Sequence, residues 1–310
     1  MFSTKRGVAA LSIASNSTLV ALKLVAGLSI GSVSVISEAI HSSVDLLASV
    51  MAFFAVRASA KPPDDEHLFG HGKAESLSGA AEALLIFLAA LMIINEAVQK
   101  LLYGVHLENV DVGIAVMGLS SIANIIVSRR LMRVAKATDS MALEADAWHL
   151  TTDVLTSAGV AAGLVAVRLT GLDLLDPIIA IGVALFIFKA AYDITRRSIR
   201  DLLDTSLPEE EQAIIREVLD KHSGRMVGYH QIRSRKSGSE RHVDLHLVMN
   251  RNVTVQQSHD LCDHLEADLR EELGDVVLNI HVEPCEPGCE LCESGCAPER
   301  TTSEAPDPRR

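Results

Sequence analysis

The chain contains the stretch Glu38-Ala39-Ile40-His41-Ser42-Ser43-Val44-Asp45 and, further along, the similar stretch Asp146-Ala147-Trp148-His149-Leu150-Thr151-Thr152-Asp153. In both, an acidic residue precedes a histidine by three positions and an aspartate follows it by four. Residues four apart lie on the same face of an α-helix, and both stretches sit inside long apolar segments. Imidazoles and carboxylates in this arrangement predict a divalent transition-metal site made by His41, Asp45, His149 and Asp153.

The composition of the chain is that of a membrane protein. Its 310 residues are 48% hydrophobic and have a mean hydropathy of +0.26, which is high for a soluble protein. Six apolar segments are each long enough to cross a hydrocarbon core of about 30 Å as a helix. They cover residues 7–30, 33–59, 77–102, 110–134, 141–169 and 174–194. The first is too long for a signal peptide, so we expect it to remain as a span.

The distribution of basic residues predicts the orientation of these helices. Loops on the cytoplasmic side of a membrane carry an excess of lysine and arginine. One side of the six-helix arrangement carries most of them, namely Lys5, Arg6, Arg57, Lys61, Lys73, Arg129, Arg130, Arg133, Lys136, Arg196, Arg197 and Arg200. We therefore expect a multi-pass protein of the inner (plasma) membrane with both termini in the cytoplasm.

After Pro208 the pattern changes to that of a soluble domain. It predicts helix, strand, strand, helix and strand at 209–222, 228–235, 241–249, 255–273 and 276–282. The order αββαβ is typical of a small α+β domain of the ferredoxin-like or metallochaperone-like type. The predicted fold class is thus membrane α-helical, with six transmembrane helices at 1–207, a cytoplasmic α+β domain at 208–284 and a Cys-rich, disordered tail at 285–310.

Charged side chains in hydrocarbon are costly unless they are paired or bound to metal, so the intramembrane set is expected to be functional. The alternative is that its His–Asp hydrogen bonds only pack the helices. Two histidines and two aspartates suit tetrahedral Zn²⁺, whereas Mg²⁺ or Ca²⁺ would favour more carboxylates and Cu⁺ would favour sulfur. Co²⁺, Cd²⁺, Ni²⁺ and Fe²⁺ stay open, because their preferences for N/O sites overlap with those of zinc.

Three further groups of potential ligands lie outside the apolar segments. The loop after the second segment contains Asp64, His67 and His71, which form either a site where metal enters or a solvated charged loop. The C-terminal domain offers either a metal site or exposed histidines in His230, His246, His259, His281 and Glu283. The tail contains four closely spaced cysteines, Cys285, Cys289, Cys292 and Cys296. They indicate either soft-metal binding in the reducing cytoplasm or an unstructured run of thiols.

The six spans, the two His-x3-Asp stretches, the loop Gly70-His71-Gly72-Lys73-Ala74-Glu75 and the αββαβ domain together resemble the cation diffusion facilitator family. The resemblance covers about residues 7–284 and implies a homodimeric antiporter that exchanges divalent cations for protons. It implies that the transported metal binds between the second and fifth spans, at His41, Asp45, His149 and Asp153. Many bacterial zinc exporters of the family have an aspartate in place of His41.

The same resemblance assigns roles to residues outside the spans. The loop metal site of the bacterial exporters matches Asp64, His67 and His71. Their cytoplasmic binuclear site, whose acidic member is aspartate, matches His230, His246, His259, His281 and Glu283. A lysine that pairs the membrane domain with the cytoplasmic domain matches Lys73, with Asp204 as its expected partner. The tail cysteines lie outside the match.

The sequence therefore predicts a secondary transporter rather than an enzyme, which moves Zn²⁺ out of the cytoplasm in exchange for H⁺. Its expected partners are divalent metal ions, protons, membrane lipid and a second copy of the chain. Zn²⁺ is also the expected regulatory ligand, and no organic cofactor is expected. Nucleic acid is excluded by the lack of a uniformly basic surface in a chain of net charge -12.

Two other classes of function are compatible with part of the sequence. One is a membrane-bound metal sensor or scaffold that binds metal without transporting it. The other is an intramembrane metalloenzyme, which would show a His-Glu-x2-His motif or another open three-ligand site. The sequence contains no such helix motif.

Overall fold

The computed structural model of the protein describes residues 4–30, 33–103, 111–172 and 174–286, which fall into two compact units, Met1–Leu202 and Leu203–Arg310. Within those residues the first unit consists of long helices. In chain order they are α1 (Lys5–Ile30), α2 (Val33–Ser59), α3 (Lys73–Tyr103), α4 (Asp111–Thr138), α5 (Met141–Thr170) and α6 (Leu175–Leu202).

The helices continue beyond the apolar segments of the sequence. Helix α3 starts at Lys73 and α6 reaches Leu202, each about a turn or more outside the apolar part. Backbone hydrogen bonds do not depend on side-chain polarity, so charged residues with good helix propensity extend the helices. The limits of α5 come from local chemistry, because the Ser140 hydroxyl caps its first turn and Gly171 adopts a left-handed φ of 71° after its last.

Small side chains let the helices of the first unit approach closely, as in other membrane bundles. Fully buried alanines occur on several helices, among them Ala9, Ala39, Ala48, Ala52, Ala83, Ala90, Ala142, Ala145, Ala147, Ala184 and Ala191. Gly79 of α3 marks a particularly close approach. A Cβ at this position would lie 2.7 Å from Met141 Cγ of α5 and 2.9 Å from Ser198 Oγ of α6.

Among the described residues, four helices are long and apolar enough to cross a membrane. The candidate spans are Lys5–Ser29, Ala39–Ser59, Lys73–Leu102 and Leu175–Leu202, on α1, α2, α3 and α6. Helices α4 and α5 have comparable lengths of 28 and 30 residues. The first unit is therefore a helical membrane unit, and the count of six spans stays a prediction.

The second unit is a three-stranded sheet covered by two helices. In the predicted order αββαβ, it contains α7 (Glu209–Lys221), β1 (Gly228–Ser237), β2 (Glu240–Met249), α8 (Val255–Leu273) and β3 (Val276–Pro284). The central strand β2 pairs antiparallel with β1 and parallel with β3. Val243, Leu245 and Leu247 of β2 share one core with both helices, so the alternate residues His242 and His246 lie on the opposite face.

We expect Gly79→Leu to lower the thermal unfolding temperature of the purified protein in detergent. The added side chain has to displace Met141 and Ser198, and such overpacking typically costs about 1–3 kcal/mol. Gly118→Leu on α4 is the matched control, because no atom lies within 4 Å of a Cβ added there. Equal unfolding temperatures for the two variants would show that the close approach at Gly79 is absent.

Candidate metal centre

The four residues predicted as intramembrane ligands come together where α2 meets α5. His149 Nε2 lies 3.1 Å from Asp45 Oδ1, and His41 Nε2 lies 3.8 Å from Asp153 Oδ1. One ligand atom from each of His41, Asp45 and Asp153 lies within 4.8 Å of the other two. Each helix presents one histidine and one aspartate a turn apart, so both contacts cross from one helix to the other.

The four ligand side chains differ in their exposure. Asp45 and His149 are 6% and 8% exposed, whereas Asp153 and His41 are 20% and 53% exposed. A cavity of about 130 Å³ is lined by His41, Asp45 and Asp153 together with residues of α1 and α4. This volume accommodates an ion with part of its hydration shell, because one water needs about 30 Å³. The site therefore combines a closed half with a half that an ion can reach.

The contact between His149 and Asp45 is a hydrogen bond, so a proton lies between Nε2 and Oδ1. A metal ion bound to the same two atoms requires that proton to leave, since metal ligands bind in their deprotonated form. In this geometry a metal ion and a proton would compete for the same pair of atoms. This is the chemistry that a cation–proton exchanger requires.

Two residues that the sequence reasoning missed line the same cavity. Lys23 of α1 is 3% exposed, and its Nζ donates a hydrogen bond of 2.7 Å to Ser42 Oγ, next to His41 in the chain. Asn124 of α4 is buried, and its Nδ2 lies 3.4 Å from Asp153 Oδ2. The available signal was a lysine or an amide inside an apolar segment, where polar residues are costly.

The loop residues Asp64, His67 and His71 form a second cluster in the first unit. Their ligand atoms lie within 4.8 Å of one another, with both histidine nitrogens 3.2 Å from the Asp64 carboxylate. The backbone N–H of His67 also donates to Asp64 Oδ1 at 2.7 Å, and this hydrogen bond chiefly holds the pKa of the exposed Asp64 carboxyl below its usual value. The carboxylate is therefore ionised and available to a cation near neutral pH.

A row of histidines crosses the sheet of the second unit. In the strand register His246 of β2 is opposite His230 of β1 and His281 of β3. Its ring centroid lies 5.1 Å from that of His230 and 4.8 Å from that of His281. Glu283 accepts a hydrogen bond from His230 and lies 3.5 Å from His246 Nδ1, so His230, His246 and Glu283 form a potential metal cluster.

The Glu283 carboxyl is tuned by these histidines. Its hydrogen bond with His230, aided by the weaker interaction with His246, lowers its pKa below the usual value. Glu283 therefore stays a carboxylate, available to a cation, as the pH falls toward the usual pKa of a glutamate.

Two further predicted ligands of the second unit are His259, predicted for the histidine site, and Cys285, predicted for the cysteine site of the tail. His259 is on α8, in the helical layer, where its Nε2 is 3.6 Å from Asp263 and its side chain lines a hollow with Cys262. Cys285 is buried beside β2, where its N–H donates to the Met249 carbonyl at 2.9 Å, and its sulfur is disulfide-bonded. Cys289, Cys292 and Cys296 lie outside the described residues.

The expected ion pair between Lys73 and Asp204 would join the two units and stays a prediction. Within the first unit, Lys73 Nζ lies 3.5 Å from the Leu202 carbonyl oxygen. Within the second, Asp204 Oδ1 lies 3.4 Å from Arg235 Nη1.

The chain matches known proteins along most of its length. Residues 9–203 match the family described as "Cation efflux transmembrane domain", and residues 207–285 match "Cation efflux protein, cytoplasmic domain". The uncharacterized transporter sll1263 of Synechocystis sp. is 36% identical over 281 residues, which is 91% of each chain. The cation-efflux pump FieF of Salmonella agona is 34% identical over 272 residues, 87% of this chain and 89% of its own.

A solved structure of CzrB is 34% identical, covers 26% of this chain and 100% of its own, and has a TM-score of 0.25. The family matches and the two transporters span both units of the protein. On this basis the chain belongs to the cation efflux, or cation diffusion facilitator, family of metal-transporting membrane proteins.

Proposed function

We propose that this protein exports Zn²⁺ from the cytoplasm in exchange for protons, and that its transport ligands are His41, Asp45, His149 and Asp153. The observation that carries the proposal is the meeting of two His–Asp pairs from α2 and α5 inside an apolar helical unit. Two nitrogen and two oxygen donors suit tetrahedral Zn²⁺ better than Mg²⁺ or Ca²⁺. The relative FieF is named as a cation-efflux pump, which supports the direction of transport.

In the proposed topology α1 to α6 all cross the inner membrane, and both termini are cytoplasmic. The basic residues at the loops and helix ends of one side support this orientation. The α+β unit is then a cytoplasmic regulatory domain through which two copies of the chain associate. Zn²⁺ bound at its histidine row favours one conformation of the dimer and thereby regulates transport.

In the proposed cycle, the ion reaches the exposed half of the site first. His41 and Asp153 are the more accessible ligands, and Asp45 and His149 complete the coordination in the buried half. Binding expels the proton that lies between Asp45 and His149. Movement of the helices then opens the site to the other side, where protons return and displace the metal.

We expect Asp45→Ala and Asp153→Ala each to abolish proton-driven Zn²⁺ uptake into inverted membrane vesicles. Each variant removes a proposed charged ligand, and even the loss of a residue that only orients a ligand typically weakens metal binding about 10–100-fold. Asp193→Ala, which removes an exposed aspartate of α6, is the control and should transport normally. Normal uptake by both ligand variants would refute the proposal, and failure of the native protein to show counterflow in proteoliposomes would favour a sensor.

Lys23 is expected to weaken metal binding, because its ammonium group lines the cavity that the divalent ion enters. Removing the charge in Lys23→Met should raise the Zn²⁺ affinity by about tenfold, equivalent to about 1.4 kcal/mol of relieved repulsion. Turnover should fall, because the ion leaves more slowly. Lys23→Arg should retain native affinity, and Lys189→Met on the exposed side of α6 serves as the charge-loss control. An affinity in Lys23→Met equal to or lower than that of the native protein contradicts this role.

The histidine row is expected to bind metal in addition to the transport site. His246→Ala combined with His281→Ala should lower the number of Zn²⁺ ions bound per chain at neutral pH and reduce transport at low Zn²⁺ concentration. His264→Ala on α8 is the control, because its ring bonds to the Asp260 carbonyl on its own helix. The regulatory role fails if both the metal content and the transport rate of the double variant equal those of the control.

A further inference from the structure

A second group of buried acids lies one helical turn from the transport ligands. Asp146 precedes His149 by three residues on α5 and is 0% exposed. Ser49, four residues after Asp45 on α2, donates a hydrogen bond of 3.0 Å to Asp146 Oδ1. The other carboxylate oxygen, Oδ2, is buried without a hydrogen-bond partner among the described residues.

Glu82 of α3 is buried in the same way. It is 0% exposed, and Ser78 Oγ donates to its Oε1 at 3.1 Å. Its Oε2 is likewise buried with no hydrogen-bond partner in the part of the chain that the structure describes. Each acid therefore has one oxygen that accepts a hydrogen bond from a serine hydroxyl. Its other oxygen is buried without a hydrogen-bond partner among the described residues.

Packing between α3 and α5 places the two acids at the same height. Gly79 of α3 lies against Met141 of α5, and Ala83 and Ala145, about one turn further along both helices, belong to one buried cluster. Glu82 and Asp146 are the chain neighbours of those alanines, and their carboxylates interact electrostatically.

Among the described residues, the potential cation that acts on Asp146 is His149, which also interacts with Asp45 and Asp153. Around the pair the charged or titratable groups are Asp45 on α2 and His149 on α5 itself. Helix α1 contributes the neutral Ser12, which bonds to Ser49 at 2.9 Å and also hydrogen-bonds to the Asp146 carboxylate, and α6 contributes apolar residues such as Ile194. Two adjacent carboxylates in an enclosed apolar environment cannot both remain ionised at modest cost.

We propose that Glu82 and Asp146 form a proton-binding site, separate from the metal ligands, that binds one proton on one of the two carboxyl groups and exchanges it during the transport cycle. This inference rests on the proposed function. The proton binds at an oxygen that has no hydrogen-bond partner among the described residues, Glu82 Oε2 or Asp146 Oδ2, so one acid is neutral while the other is a carboxylate.

The position of the pair explains what such a site would do. Ser49 bonds to Asp146, and Asn16 Nδ2 lies 2.8 Å from Ser49 Oγ and 3.3 Å from the Asp45 carbonyl oxygen. Polar groups thus extend from the transport site toward Glu82, while Glu75, seven residues earlier on α3, is linked to Lys5 at 3.0 Å. In the proposed orientation, the end of α3 that carries Glu75 is the cytoplasmic end of the helix, where the imported proton has to leave the protein.

The test uses the full-length protein, with Glu82→Gln, Asp146→Asn and the double variant. Zn²⁺ affinity is measured by calorimetry in detergent, and Zn²⁺ and proton fluxes are measured together in proteoliposomes. We expect both single variants to retain Zn²⁺ affinity within about threefold, since the metal ligands are intact, and to lose about tenfold or more in exchange rate. The double variant should be no slower than the slower single variant, because the residues act as one unit.

Glu96→Gln is the control, because this exposed acid of α3 pairs with Lys100 one turn away and lies outside the cluster. Native exchange rates in both single variants would overturn the inference. A loss of Zn²⁺ affinity large enough to account for the loss of exchange rate would also overturn it. The same holds if the rate losses of the two single variants multiply in the double variant.

A readout independent of transport separates this inference from the proposed function. The infrared spectrum of the purified native protein at neutral pH should contain a protonated-carboxyl C=O band that disappears in Glu82→Gln or Asp146→Asn. If the native protein proves not to exchange Zn²⁺ for protons, the proposed function fails while the band still establishes the proton site. If exchange occurs and the band is absent, or is unchanged in both variants, the proton site is refuted.

Discussion

The high free-energy cost of a charged group in an apolar interior is the constraint on which the rest of the first unit depends. The contact between His149 and Asp45 shows how the protein satisfies this constraint. Each group would be unfavourable alone, and a hydrogen bond joins the two side chains from α5 to α2. A metal ion can satisfy the same atoms by replacing the proton of that bond. The burial of these two side chains is therefore what supports the proposed exchange of metal for protons.

The same constraint appears at other buried charges of the helical unit. Glu75, which is 1% exposed, is held by Lys5, Ser59 and the capping residue Ser140, so that one carboxylate ties together four helices. Asp176 lies 3.6 Å from Lys100. Such paired groups stabilise helix packing and leave little freedom to bind a cation. The proposed roles in transport fall instead on charged residues that line the cavity or have a buried oxygen without a hydrogen-bond partner among the described residues.

The second unit follows a different rule, because its site is built on a sheet. Alternation along β2 directs its apolar residues to the helices and His246 to the other face, and strand register then places His230 and His281 beside it. Strand β3 runs parallel to β2, with His281 opposite His246 and Glu283 opposite Val248. Glu283 therefore lies two residues beyond His281 on the same face, next to the histidine row. His259 belongs to α8 and lies in the layer on the far side of the core, which separates it from the row within one chain.

The sequence by itself determined the helical membrane unit, the αββαβ order and the identity of the transport ligands as candidates. It could do so because helical periodicity and the cost of intramembrane charge are local properties of the chain. Only the tertiary structure decided that α2 and α5 bring His41 to Asp153 and His149 to Asp45. It also placed Lys23 in the cavity and buried Glu82 where its carboxylate interacts with that of Asp146. Which helices touch, and at what height, depends on the packing of small residues such as Gly79 across the whole unit.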